Sequence, residues 1–177
     1  MRRFRGRGGQ EGSESEKKHT YKMREELISF GDDYWIEDED GKRAYLIDGK
    51  ALRIRETLLF KDVQGNDLYK IQEKMIRLRD TMTIKDAEDG VAAVVKKNFI
   101  NILRDRWKVE LPDGTEMEVK GNILDHEYDI STGGKTIAEV SKKWFRVRDT
   151  YGVEIEPGQD NALILAVTVT LDQMAHD

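Results

Sequence analysis

From Tyr21 onward, apolar and polar residues alternate over short runs, and glycine-containing turns separate the runs. A period of two puts successive side chains on opposite faces and predicts β-strands. The turns are Asp40-Gly41, Gln64-Gly65-Asn66, Asp89-Gly90, Asp113-Gly114, Gly133-Gly134 and Tyr151-Gly152. Asp-Gly is a strong hairpin signal because the turn needs a positive φ, which glycine adopts without steric cost. Successive turn glycines are 24, 25, 24, 19 and 19 residues apart. Six hairpins at that spacing predict about twelve strands, in a sandwich or a barrel. The uneven period argues against a solenoid.

The pattern changes at the end of the chain. Pro157-Gly158 breaks the last strand, and Asp160 or Asn161 can cap a helix. Leu163, Ile164, Val167, Thr170, Leu171 and Met174 then follow helical spacing, while Leu165 and Val169 fill the opposite side. A helix apolar all round is a buried one. Ile, Val and Thr favour strands, so a central strand competes with this reading; length without a Gly or Pro break favours helix. The run of about 14 apolar residues is shorter than the ~20 a membrane span needs.

Composition narrows the function classes. The chain has 177 residues, enough for one domain with a sizeable core. Charged residues make up 37% and the net charge is -5, which argues against wholesale nucleic-acid binding. There is no cysteine, which removes disulfides, thiolate catalysis and Cys-type zinc sites, and fits a reducing cytoplasm. No apolar secretion signal is present at the N-terminus. Residues 1–19 are basic and Gly-rich, then polar, and are expected to form a disordered tail ahead of a domain at 20–177. Arg2, Arg3, Arg5 and Arg7 resemble short Arg/Gly arms that touch RNA or anionic lipid, although a solvated tail is the simpler reading.

Four stretches read Arg-x-Arg: Arg53 with Arg55, Arg77 with Arg79, Arg104 with Arg106, and Arg146 with Arg148. On a strand, residues two apart share a face, so each pair projects together. Guanidinium forks suit bidentate recognition of phosphate. The competing reading is cross-strand ion pairing, since each pair has Asp or Glu within one residue. Lys96-Lys97 and Lys142-Lys143 add positive charge.

Other chemistry is thin. Of His19, His126 and His176, only His126 falls within the domain, and it is expected at the surface or on an edge strand. Asp32-Asp33 and Glu37-Asp38-Glu39-Asp40 offer carboxylates but lack the interrupted spacing of a calcium loop, and read as charged hairpin sequence. No nucleophile elbow, phosphate loop or triad arrangement appears, so the expectation is a non-enzymatic protein with no cofactor and no metal. Trp35, Trp107, Trp144 and Phe145 read as barrel wall or core.

Three sets of residues carry a family likeness: Tyr34-Trp35-Ile36-Glu37-Asp38-Glu39-Asp40-Gly41 with Leu58-Leu59-Phe60-Lys61-Asp62-Val63-Gln64-Gly65, then Asp149-Thr150-Tyr151-Gly152-Val153-Glu154-Ile155, then Asp160 to Val167. As an ordered set over about residues 20–175 the sequence resembles the LURP-one-related (Tubby C-terminal-like) proteins, small prokaryotic members included. The resemblance implies a closed twelve-stranded antiparallel β-barrel around a hydrophobic C-terminal helix. It also implies a binding role, since Tubby domains in the wider superfamily hold phosphoinositide headgroups with basic residues. The expectation is therefore a cytoplasmic protein, peripheral at the membrane, that engages anionic phospholipid through the Arg-x-Arg pairs. The alternatives are a scaffold that meets a protein partner, scramblase-like lipid handling, and a barrel holding a small hydrophobic ligand in its mouth.

Overall fold

The structure is a computed structural model that describes residues 17–24, 33–49, 57–73, 81–98, 106–145 and 149–176. Twelve strands form one closed antiparallel barrel: β1 (His19–Arg24), β2 (Tyr34–Asp38), β3 (Arg43–Asp48), β4 (Thr57–Lys61), β5 (Asp67–Glu73), β6 (Thr81–Asp86), β7 (Val91–Asn98), β8 (Arg106–Glu110), β9 (Glu116–Asn122), β10 (Glu127–Thr132), β11 (Lys135–Ser141) and β12 (Thr150–Ile155). Each strand pairs with its neighbours in sequence, and β1 closes the barrel on β12 over six residues, His19↔Ile155 to Arg24↔Thr150. Closure removes every sheet edge. His19, read from the sequence as tail, is the first residue of β1.

One helix, α1 (Asn161–His176), fills the interior. Its Ile164, Leu165, Ala166, Val167, Val169 and Leu171 are buried. They meet the inward residues of the strands, among them Met23, Ile36, Ile47, Phe60, Ile71, Ile84, Val95, Val109, Ile130 and Val153. Asp160 caps the helix: its Oδ1 accepts from the Leu163 amide at 3.0 Å. The two threonine hydroxyls are satisfied within the helix, Thr168 donating to the Ile164 carbonyl at 3.0 Å and Thr170 to that of Ala166 at 2.8 Å. That internal bonding lets a threonine-bearing sequence lie in an apolar bore.

The barrel has two unlike ends. At the lower end, β2–β3, β4–β5 and β6–β7 are joined by turns with a shared device. An aspartate Oδ1 accepts from the amides two and four residues on: Asp38 from Asp40 and Lys42, Asp62 from Gln64 and Asn66, Asp86 from Glu88 and Gly90. These aspartates recur every 24 residues, which is the origin of the glycine spacing. Register shifts precede the turns at Ile36/Glu37, Phe60/Lys61 and Ile84/Lys85, as expected of bulges that curl a sheet into a barrel. Tyr21, Tyr45, Phe60 and Tyr69 form a ladder of ring contacts there, with centroids 5.1 to 6.2 Å apart. The Tyr21 hydroxyl accepts from Asn161 at 3.1 Å, and the Tyr69 hydroxyl donates to Asp160 at 3.2 Å, which ties the start of α1 to this end.

The sixth expected turn does not form. Tyr151 and Gly152 lie within β12, Gly152 opposite Lys22 on one side and Ser141 on the other. The glycine is needed for contact. A Cβ at Gly152 would stand 2.6 Å from Trp144, the last residue of a 3-10 turn at Lys142–Trp144, and 2.8 Å from Phe145, which follows it.

Candidate functional site

A cleft on the outer wall of the barrel runs from the upper ends of β1, β2 and β12 down to the start of β3. Tyr21 and Met23 of β1 point inward, so Lys22 and Arg24 point outward; on β2, Tyr34 and Ile36 point in and Trp35 and Glu37 out. Arg43 opens β3. These outward residues line a half-open cleft of about 510 Å³ with Asp33, Asp149 and Thr150. Its volume suits a small polar ligand.

The cleft has fixed internal contacts. Lys22 and Glu37 are cross-strand partners, with Nζ 2.8 Å from Oε2. The Arg43 guanidinium lies over the Trp35 ring, 4.7 Å from its centroid. Trp35 thus forms a flat wall bearing a positive charge, a cation–π arrangement that orders the arginine without neutralising it. Arg24 sits on the same face as Lys22, across from Thr150 of β12. Three cations can hold a phosphate group, while Asp33, Glu37 and Asp149 can accept from hydroxyl or ammonium donors.

Behind the cleft, inside the barrel, lies a buried polar cluster. Asp172 of α1 accepts a short hydrogen bond from the Tyr151 hydroxyl. The His126 ring stacks on Tyr151 at 4.1 Å and places Nε2 against the same carboxylate. Tyr34 and Tyr128 close the cluster. Burial pushes the phenols of Tyr34, Tyr128 and Tyr151 well above their usual range, and the Asp172 charge pushes them further. His126 is therefore a buried residue and not the surface residue expected from its polar neighbours. It follows a short turn and takes φ 52°, which swings the ring into the bore.

Of the arginine pairs, Arg53, Arg55, Arg77, Arg79, Arg104, Arg146 and Arg148 lie outside the described residues. Arg106 is exposed at the start of β8, opposite Lys120 and Asn98. The strand ends that border these stretches are Asp48 and Thr57, Glu73 and Thr81, Asn98 and Arg106, and Ser141 and Thr150. In an antiparallel barrel all eight belong to one end, the upper one. Lys96 is paired with Glu110 at 2.6 Å, and Lys97 lies over the Trp107 ring. The acidic run is engaged in structure: Glu37 holds Lys22, Asp38 ties its turn, Glu39 meets Lys17 and Asp40 meets Lys42.

Lys22, Arg24 and Arg43 were not singled out by the sequence reading, because none belongs to an Arg-x-Arg pair. Their alternation with inward Tyr21, Met23, Tyr34 and Ile36 was the available signal. A second, smaller cleft of about 330 Å³ lies on the wall of β1, β10, β11 and β12 and is lined mainly by Asp129, Glu139, Glu154 and Glu156. Lys18 lies among them, 2.7 Å from Glu154 and 3.0 Å from Glu156, and the remaining excess of carboxylates repels an anion.

The family model described as LURP-one-related matches residues 19–172. No curated protein matches the chain. Among solved structures, the X-ray structure of a protein from Arabidopsis thaliana is similar with TM-score 0.67 at 17% identity, covering 91% of this chain and 93% of that one. At that identity the likeness speaks for the fold.

Proposed function

Since the chain belongs to the LURP-one-related family, we propose that it is a non-enzymatic binding module that takes the phosphorylated headgroup of an anionic phospholipid in a cleft on the outer wall of its barrel. The observation that carries this reading is the cleft in which Lys22, Arg24 and Arg43 gather beside the Trp35 ring. The Arg-x-Arg pairs of the sequence supply a second set of guanidiniums. Both sets act as phosphate contacts, with the cleft seating one headgroup and the arginines drawing the barrel to the anionic surface. The protein works at the cytoplasmic membrane face as a peripheral component. No helix among the described residues is long and apolar enough to cross a membrane.

Scramblase-like handling is disfavoured because α1 is committed to the core. A ligand in the bore is disfavoured for the same reason. A protein-interaction role is the second reading, favoured by the carboxylate-rich cleft, where Glu139 faces both Asp129 and Glu154 across the strands and Lys18 already pairs with Glu154 and Glu156. Like charges directly opposed are unfavourable for the sheet and suit a cationic partner segment. Co-sedimentation with vesicles separates the readings. The lipid reading expects pelleting that requires anionic lipid and weakens with salt. Absence of pelleting at low salt contradicts it.

A further inference from the structure

Among the described residues, four large apolar side chains are exposed: Val63, Val91, Leu124 and Trp144. Val63 sits in a charged turn at the lower end and Val91 opens β7 just after another. Leu124 and Trp144 are at the upper end, 56% and 37% exposed, on either side of β10. Glu127 at the start of β10 lies opposite Asn122 of β9 and Ser141 of β11. Leu124 follows the first strand end and Trp144 the second, with the Trp144 ring lying over Gly152 of β12.

Trp144 is held in place. Ser141 caps its 3-10 turn, the Lys143 amide donating to Ser141 Oγ at 3.2 Å. Glu127 accepts from Ser141 Oγ at 3.0 Å and from Lys143 Nζ at 3.0 Å. Burial pushes the Glu127 carboxyl up, but Lys143 and Ser141 outweigh this and hold it below its ordinary value. Beneath the rings, Gly152 leaves the seat that a Cβ would fill. Gly152 is also the cross-strand partner of Lys22, so this aromatic seat adjoins the cleft that Lys22 lines. An amphipathic ring, locked in orientation and part exposed beside lysines, is the arrangement that residues at a membrane–water interface adopt.

We propose that Trp144, with Leu124 as its companion, is the part of the barrel that enters the bilayer interface, and that Lys142 and Lys143 lie at the headgroup level beside it. The inference rests on the lipid reading of the cleft and adds which face meets the membrane. The occupant is a lipid surface because the apolar pair is small and flanked by lysines, one of them Lys143 with its side chain 80% exposed. A stable protein–protein interface needs a larger patch, of about 800 Å² per partner.

The experiment uses the full chain with phosphatidylcholine vesicles containing phosphatidylserine, with or without brominated acyl chains. The difference in emission between wild type and Trp144→Phe isolates Trp144 from Trp35 and Trp107. On binding, that difference signal should shift to the blue and be quenched by the brominated lipid. Trp144→Ala should weaken vesicle partition by roughly three- to tenfold, from the exposed area of one ring, with Trp144→Phe retaining much of it. Leu124→Ser, which disturbs no seat, should weaken partition several-fold and leave the thermal melt unchanged. If wild type pellets with vesicles but the Trp144 signal is unquenched and Leu124→Ser pellets normally, the face is wrong while the cleft reading stands. If wild type does not pellet at all, both fall.

Discussion

His126 Nε2 lies 3.2 Å from Asp172 Oδ1 inside the barrel, with the two side chains 1% and 2% exposed. The carboxylate sits near the C-terminal end of α1, where the helix dipole disfavours negative charge. Its contacts with His126 and the Tyr151 hydroxyl offset that cost. Leaving a buried polar group without its partner typically costs about 1–3 kcal/mol. Asp172→Ala and His126→Ala should each destabilise the barrel on that scale in urea unfolding. The double variant should cost less than the sum, with a coupling of about 1–3 kcal/mol. Additive losses would show that the pair is not coupled.

Stability should fall steeply in alkali. All six tyrosines (Tyr21, Tyr34, Tyr45, Tyr69, Tyr128 and Tyr151) are held above the ordinary value of 10.0, chiefly by burial, with Tyr45 pushed up to about 12. The folded chain therefore keeps protons that the unfolded chain releases. This contribution is complete below pH 10.0 and is lost as pH rises above it. Each fully buried phenol should remove about 1.4 kcal/mol per pH unit in that range. Phenolate absorbance followed by titration should show the phenols of Tyr34, Tyr128 and Tyr151 ionising together with unfolding. Their ionisation in a still-folded barrel would contradict the burial.

Much of the barrel was legible in the chain, for identifiable reasons. Strand alternation and the glycine turns follow from backbone geometry that acts locally. Asp38, Asp62 and Asp86 act locally too, each bonding amides two and four residues on. Choosing helix over strand at Leu163–Met174 was harder, because Val and Ile favour strands; family likeness supplied the answer, and the barrel bore enforces it. Gly152 misled because its role is contact with Trp144 and Phe145, a tertiary cause with no local mark. His126 misled for the same reason: its partner Asp172 is 46 residues away. The cleft depends on β1, β2, β3 and β12 closing side by side, so Arg24 and Arg43 line one cleft only in the folded chain.

Gly121 should be less tolerant than any turn glycine. Its φ is 139°, and a Cβ there would meet the Glu127 carbonyl at 2.4 Å and Tyr128 Cα at 2.6 Å. The obstacles are backbone atoms of the paired strand, which cannot rotate away. Gly121→Ala should cost about 2–4 kcal/mol, combining strain with disrupted β9–β10 pairing. By contrast, Gly41→Ala, with nothing within 4 Å, should lose only the cost of its positive φ, about 1 kcal/mol. Chemical denaturation of the two variants gives the comparison directly.

Loss of the interior helix should be fatal to the fold. The six fully buried apolar side chains of α1 contribute roughly 10 kcal/mol of gross burial, an upper figure, comparable with the whole stability of a domain. A chain ending at Gln159 should give no cooperative thermal transition by near-ultraviolet circular dichroism. A near-native melt would refute the interior helix.

The central claim is that the cleft of Lys22, Arg24 and Arg43 binds a phosphorylated headgroup. Vesicle co-sedimentation of wild type beside Arg24→Glu/Arg43→Glu tests it most directly, since both arginines are exposed and neither supports the core. The account predicts that wild type pellets with anionic vesicles at low salt, and that the double reversal loses at least tenfold in partition at an unchanged melting temperature. Equal partition of the two proteins, or no pelleting of wild type at low salt, would contradict it.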